Sequence, residues 1–179
     1  MKYVAFLRAI NVGGRVVKME VLRAHFESLG FSNVETFIAS GNVIFDSTAK
    51  PASTQKKIES HLRTSLGFEV ATFIRTLAEV DAVSRHQPFT TAAMKSAGAL
   101  CVGFPDSPLD DDAYNALMRM KTAIDDFHLH NREVYWLCLE KQSESTFSNA
   151  KFERACKVRA TFRGVNTVAK LAAKFASTR

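Results

Sequence analysis

The sequence has no long hydrophobic run of the kind that crosses a membrane. Its apolar stretches have the length of single strands, far below the roughly 20 residues that a spanning helix needs. The first of them, Tyr3–Leu7, reaches Arg8 too soon to form the central region of a signal peptide. We therefore expect a cytoplasmic protein that does not associate with a membrane.

Cysteine is also scarce. The three cysteines, Cys101, Cys138 and Cys156, include no CxxC pair. Cys101 and Cys138 lie in apolar segments typical of strands, so we expect buried, unpaired thiols rather than redox or metal-binding cysteines. Apolar residues make up 46% of the chain and charged residues 23%. This composition allows a packed core and argues against global disorder.

The spacing of apolar residues predicts a βαββαβ order in the first half of the chain. Strands are predicted at 2–10, 33–39, 43–47 and 68–74, and helices at 18–29 and 53–66. Gly30 and Gly67 end the helices, and Ser40-Gly41-Asn42 suits a tight hairpin because glycine accepts a positive φ. This order is the split βαβ plan.

The same order recurs roughly 90 residues later. Strands are predicted at 99–104, 125–130, 133–139 and 158–163, and helices at 107–120 and 146–157. Thr76 to Glu79 has capping-box spacing, and Asn166 is a candidate cap for a last helix. We predict an α+β protein of tandem ferredoxin-like (split βαβ) domains with antiparallel sheets. The expected limits are 1–76, a helical connector at 77–97, and 98–179 with a C-terminal helix.

The best candidate for a binding site is the loop from Asn11 to Lys18, between the first strand and the first helix. Gly13 and Gly14 let backbone N–H groups approach a ligand, and a helix N-terminus favours anions. Three basic residues add positive charge: Arg8, Arg15 and Lys18. The spacing matches neither the Walker A pattern nor the dinucleotide GxGxxG, so a plain turn is the alternative.

Two nearby features have structural alternatives. Arg8 ends an apolar strand face, where an arginine is often paired with an acid or a carbonyl rather than with a ligand. Ser40 is not set in a GxSxG elbow, and no His and Asp can be assigned to it. Ser40 and Asn42 are therefore predicted to form the polar rim of a pocket rather than to carry catalysis.

The histidines give a weaker signal. His128 and His130 alternate on one strand face with Asp126, and such a pair binds a metal if a third ligand arrives from elsewhere. We favour an exposed polar strand face, so no metal site is assigned. The remaining histidines stand alone on predicted helices: His25, His61 and His86.

The net charge of +6 is unevenly placed. From Lys151 to Arg179 there are eight basic residues and one acid, so this segment carries +7 and the remainder −1. A basic segment indicates an anionic partner, and a solvated helix face is the alternative. The residues predicted to share one positive surface are Arg159, Arg163, Lys170 and Lys174. The third strand lacks the signature of RNA-binding sheets, so nucleic-acid binding rests on charge alone.

Three segments together resemble the bacterial domain-of-unknown-function family 1697. They are Phe6–Gly14, Ser40–Phe45 and Thr161–Val168. In the third segment the family usually reads Thr-Arg-Asn-Trp-Asn-Thr, so Gly164 and Val165 stand where Asn and Trp are expected. The resemblance implies a cytosolic bacterial protein with tandem ferredoxin-like domains. It supplies no activity, cofactor or catalytic residue.

From these observations we expect a binding module for an anionic ligand, a phosphorylated small molecule, at the glycine loop. The alternatives are a nucleic-acid-binding protein that uses the basic segment, and an enzyme of unknown reaction at the same loop. The predicted ligand-binding residues are Arg8, Asn11, Gly13, Gly14, Arg15, Lys18, Ser40, Asn42, Arg163, Asn166 and Thr167.

Overall fold

The structure, a computed structural model, describes residues 1–176. Arg179, which was counted in the basic segment, lies outside the described residues. The chain divides into two compact units, one of Met1–Val80 with the residues from Phe175, the other of Asp81–Lys174. Compactness does not show which segments fold alone, so the domain limits at 76 and 98 stay a prediction. Among residues 1–176, no helix is both long enough and apolar enough to cross a bilayer.

The first unit has the predicted βαββαβ order. Its elements are β1 (Lys2–Leu7), α1 (Met19–Ser28), β2 (Ser32–Phe37), β3 (Asn42–Asp46), α2 (Pro51–Leu66) and β4 (Thr72–Thr76). The sheet has the order β2-β3-β1-β4, and each neighbouring pair is antiparallel. This strand order is that of a ferredoxin-like domain.

The core of this unit follows from the two apolar periodicities. Leu22 and Phe26 of α1 are fully buried in the same cluster as Ala5 and Phe45 of the sheet, with Ile58 from α2. Residues two apart on a strand share a face, and residues three or four apart share a helix stripe. The two helices therefore cover one sheet face.

The second unit repeats the plan. The elements that follow β4 along the chain are α3 (Leu77–Arg85), α4 (Thr91–Ser96), β5 (Ala99–Pro105), α5 (Asp111–Met118), β6 (Asp125–His130), β7 (Glu133–Cys138), α6 (Asn149–Cys156), β8 (Ala160–Gly164) and α7 (Val165–Ala176). The sheet order is β6-β7-β5-β8, again antiparallel throughout. The predicted α+β class with tandem split βαβ sheets is confirmed.

Of the predicted helix starts, one is confirmed by its capping hydrogen bonds and two are not. The capping box is confirmed: the Thr76 N–H donates to Glu79 Oε2 at 2.7 Å, and the Glu79 N–H donates to Thr76 Oγ1 at 3.1 Å. The helix predicted from 107 begins only at Asp111, because Asp110 caps it: Asp110 Oδ1 accepts from the Ala113 N–H at 2.8 Å. Asn166 does not cap α7, which already begins at Val165.

Two strand predictions were also inaccurate. The fourth strand begins at Thr72 rather than at 68, since pairing with β1 starts at Thr72, whose N–H donates to Glu59 Oε1 at 2.9 Å. The β2–β3 connection spans the four residues 38–41 rather than a tight turn, and Ile38 (φ 53°) and Gly41 (φ 79°) both take left-handed conformations in it.

All three cysteines are buried and unpaired, as expected for Cys101 and Cys138. Burial raises the pKa of Cys101 to about 11, and that of Cys156 also to about 11. A thiol is nucleophilic only as its thiolate. These cysteines therefore contribute to the core rather than to chemistry.

Gly41 provides a test of how tightly the β2–β3 connection packs. A Cβ at this position would lie 2.6 Å from Ile10 Cγ2, whereas a Cβ at Gly30 would meet nothing within 4 Å, although its φ is also positive. A left-handed conformation costs an L-residue about 1–2 kcal/mol. We expect Gly30→Ala to lower the free energy of unfolding by that amount. Gly41→Ala should lower it by a further 1–3 kcal/mol or so, because Ile10 is buried and cannot yield freely.

Urea denaturation of both variants beside the unchanged protein measures the difference directly. Equal losses for the two glycines would show that only the backbone conformation matters. They would contradict the close packing of Gly41 on Ile10.

Candidate functional site

The candidate site is built from two loops of the first unit that leave the same end of the sheet. The Asn11–Lys18 loop follows β1, and the 38–41 connection joins β2 to β3. Asn11 Nδ2 donates to the Ala39 carbonyl oxygen at 3.0 Å, and the Leu7 N–H donates to the Gly41 carbonyl oxygen at 2.7 Å. The structure thus brings the loops that carry the first two family motifs into contact.

Asn11 positions its own loop. Besides the bond to Ala39, its Oδ1 accepts from the Val17 N–H at 2.6 Å, so one side chain joins both ends of the loop to the neighbouring connection. Its carbonyl oxygen and one amide hydrogen are therefore used within the protein. We interpret Asn11 as a residue that shapes the site rather than as a direct ligand contact.

Asn42 has a similar role inside the turn. Its side chain is fully buried, and Nδ2 donates to the Phe37 carbonyl oxygen and to Ser40 Oγ, both at 2.9 Å. A buried amide that uses both hydrogens cannot line a pocket rim. Ser40 itself is exposed at the surface of the connection.

The glycine pair presents open backbone. Gly13 (φ 62°) and Gly14 (φ 82°) are both left-handed and exposed, and a Cβ added to either would meet nothing within 4 Å. Neither backbone N–H donates to an acceptor within residues 1–176. A ligand can therefore reach these donors without displacing a side chain.

Arg15 is held in place by an aromatic ring. Its guanidinium carbon lies 4.3 Å from the centroid of the Phe68 ring, while the residue as a whole stays exposed. A guanidinium that lies over a ring keeps the N–H donors at its edge available, because they lie in the guanidinium plane. The cation is thus partly preorganised for hydrogen bonding to an anion.

Lys18 occupies the N-cap position of α1 without capping it. Its backbone is extended (φ −63°, ψ 143°), and its side chain makes no capping hydrogen bond to the N–H groups of the first turn. The start of a helix carries a partial positive charge, which resides on these N–H groups. Glu20 in the first turn offsets part of that charge.

Arg8 is half-buried at the end of β1, and its backbone N–H donates to the Ala71 carbonyl oxygen at 2.9 Å.

Three predicted ligand-binding residues belong to the second unit. Arg163 Nη1 donates to Thr161 Oγ1 at 2.8 Å and to the Phe162 carbonyl oxygen at 3.0 Å, and burial lowers the pKa of Arg163 to about 10. Its guanidinium therefore turns back on its own strand. Asn166 is exposed and Thr167 half-buried in the first turn of α7.

The predicted positive surface is weaker than the charge count implies. Arg159 Nε lies 2.8 Å from Asp106 Oδ2, an ion pair that neutralises its charge locally. Arg163 is half-buried and turned inward, whereas Arg159, Lys170 and Lys174 are exposed. On the sheet faces opposite the core helices, Phe6 of the first unit and Phe104 of the second are buried. Neither ring is available to stack on bases, and nucleic-acid binding stays a prediction.

Two clefts lie away from the glycine loop. One of about 360 Å³ is lined by residues that include Phe31, Asp46 and Lys57, and one of about 570 Å³ lies beside α5 and α6. None of the residues at the Asn11–Lys18 loop lines either cleft. The loop presents an open surface, which suits a small charged group more than a ligand that must be enclosed.

Sequence reasoning missed Phe68 as a part of this site. It assigned Phe68 to a strand, but the residue precedes β4 and supports Arg15 instead. The local signal was only an aromatic residue directly after the glycine that ends α2. Such a pattern does not reveal which side chain lies across from it.

Comparison with known proteins identifies the family but no activity. The model of the family described as "Protein of unknown function (DUF1697)" matches residues 1–135, and the chain belongs to this family. The solved structure of a conserved bacterial protein from Streptococcus pneumoniae is similar over 98% of both chains, with a TM-score of 0.74 and 22% sequence identity. That likeness concerns the fold. No curated protein matches the chain.

Proposed function

We propose that this member of the family binds a small anionic ligand, the phosphate group of a small molecule, at the Asn11–Lys18 loop. One observation supports the proposal above all: the glycine pair with its open N–H groups is followed by two exposed cations, Arg15 and Lys18, and Lys18 lies at the uncapped start of α1. Within residues 1–176, no carboxylate pairs with either cation. The loop therefore concentrates positive potential and unsatisfied donors.

The binding mode follows from the geometry of each donor. The planar guanidinium of Arg15 can donate two parallel N–H bonds to adjacent phosphate oxygens, whereas the Lys18 ammonium acts as a point charge. Backbone N–H groups of Gly13 and Gly14 supply further donors. The helix start contributes roughly 0.3–1 kcal/mol of favourable charge interaction. Asn11 keeps these groups together, because it accepts from Val17 at the far end of the loop and donates to Ala39 of the neighbouring connection.

Binding is a better interpretation than catalysis for this loop. Residues 11–18 read Asn-Val-Gly-Gly-Arg-Val-Val-Lys and contain no carboxylate, imidazole, hydroxyl or thiol. General acid–base or nucleophilic chemistry uses such a group, or a lysine amine, within hydrogen-bond reach of the reacting atom, and Lys18 is the one residue of the loop that offers any of these. Holding and neutralising an anion needs only the two cations and the backbone donors.

We expect the substitution Arg15→Ala to weaken phosphate binding about tenfold or more, because a hydrogen bond to a charged group contributes about 1.5–3 kcal/mol. Calorimetric titration with inorganic phosphate and with a simple phosphate monoester at low salt measures the effect. Lys56→Ala is the matched control, since Lys56 is an exposed cation on α2. Its substitution should leave the affinity within about twofold. An equal loss of affinity in both variants would show that only the net charge of the protein matters. Absence of phosphate binding to the unchanged protein would refute the proposal.

Lys18→Ser separates stability from binding. A serine at the N-cap accepts a hydrogen bond from the first turn and stabilises a helix by about 1 kcal/mol over a residue that does not cap. We expect the free energy of unfolding to rise by that amount while the affinity for phosphate falls, because the serine hydroxyl competes for the same N–H groups and one cation is removed. Urea denaturation and phosphate titration of one preparation give both quantities. A stabilised variant with unchanged affinity would exclude the start of α1 from the site.

A further inference from the structure

Three imidazoles meet in the second unit at a place that the proposed function does not use. His128 and His130 lie on β6, the strand at one edge of the sheet, and point to the same face because they are two residues apart. His86 follows directly after α3, which ends at Arg85. The hydrogen bond from Tyr135 Oη to the Val83 carbonyl oxygen, at 3.4 Å, fixes the end of α3 against this sheet face.

The distances among the rings are short. His86 Nε2 lies 3.3 Å from His128 Nε2. The His86 and His130 rings stack with centroids 3.7 Å apart and planes 11° from parallel. One ring nitrogen from each of the three histidines lies within 4.8 Å of those of the other two.

We propose that His86, His128 and His130 form a binding site for a divalent transition-metal ion of the zinc class. Zinc–nitrogen bonds of about 2.0–2.1 Å place the nitrogens of a tetrahedral site roughly 3.3–3.4 Å apart. The spacing between His86 and His128 already has this value. His130 is exposed at the end of its strand. Its ring can therefore rotate away from the His86 ring and supply the third nitrogen ligand.

The chemistry of the ligands selects the ion. Three neutral imidazoles without a carboxylate or thiolate suit zinc, copper or nickel and do not suit calcium or magnesium, which take oxygen ligands. Two protein ligands on an edge strand and one from the end of α3 also leave the fourth position to water, the arrangement of reactive rather than purely structural zinc sites.

Neighbouring groups favour the neutral rings that ligate metals. Burial, followed by the nearby histidines, lowers the pKa of His86. Burial and His130 likewise lower that of His128, although Asp126 opposes this shift and Lys121 adds to it. Asp126 is itself engaged, because its Oδ1 lies 2.7 Å from Lys121 Nζ. Tyr135 lies below the cluster with its ring centroid 5.2 Å from that of His86.

A pair of imidazoles elsewhere provides the comparison. His25 Nδ1 lies 3.1 Å from His61 Nε2 in the first unit, a hydrogen-bonded contact of the same kind as that between His86 and His128. Within residues 1–176, the cluster at His86 is the group that adds a third ligating side chain. Substitutions at His61 and at the cluster therefore distinguish a metal site from ordinary contacts between histidines.

The test uses the untagged full chain after treatment with a chelator. Zinc is titrated in competition with a chromophoric chelator, and cobalt is added separately to record its visible absorption. We expect one zinc per chain and an affinity that falls at least about 100-fold in His128→Ala and in His130→Ala, because changes to outer-shell partners alone cost roughly 10- to 100-fold. His61→Ala should bind zinc as the unchanged protein does. The cobalt complex should lack the thiolate charge-transfer band.

Because His130 is exposed, His130→Ala keeps the test valid even if the less exposed His128 or His86 proves necessary for folding. Circular dichroism of each variant shows whether it folds, and His86→Gln replaces His86→Ala if the latter does not. Absence of zinc binding at micromolar concentration would overturn the proposal. So would an equal loss of affinity in His61→Ala, or binding that survives the substitution of His128 and His130.

Discussion

The antiparallel pairing of β1 with two neighbours is the constraint on which the first unit depends. β1 pairs with β3 on one side and with β4 on the other, and its residues Val4 and Ala5 are completely buried, one on each face. A shift of one residue along either neighbour would turn every apolar side chain to the wrong face. The end of β1 is therefore fixed, and so is the origin of the glycine loop.

The geometry of the candidate anion site depends on that fixed end of β1. Bonds from Leu7 to Gly41 and from Arg8 to Ala71 continue the pairing past the last strand residues, and Asn11 extends it through its side chain. The polar residues that a motif search would single out, Asn11 and Asn42, are the ones most occupied by this framework. The groups available to a ligand are the backbone N–H groups of the glycine pair and the cations Arg15 and Lys18. Within the described part of the chain, local structure positions these groups without pairing them with an acceptor.

In the second unit a buried carboxylate, that of Asp125, fixes the start of β6. Asp125 accepts from Trp136 Nε1 at 2.8 Å and from Ser145 Oγ at 2.7 Å. Burial by itself would raise the pKa of Asp125, but the hydrogen bonds from Ser145, Trp136 and Thr122 lower it overall. An ionised, fully bonded Asp125 fixes the register at the start of the strand. Side chains alternate from there, so His128 and His130 are directed to the face away from Phe127 and Trp136.

The sequence by itself determined the order of the elements, the antiparallel α+β class, the capping box at Thr76 and the burial of the thiols. Each of these depends on periodicity or on contacts between residues a few positions apart. Only the tertiary structure decided that Phe68 supports Arg15, that Arg163 turns back on its strand and that His86 meets His128. The two histidines are 42 positions apart, and their approach depends on how α3 packs on its sheet, a long-range outcome that no local pattern encodes.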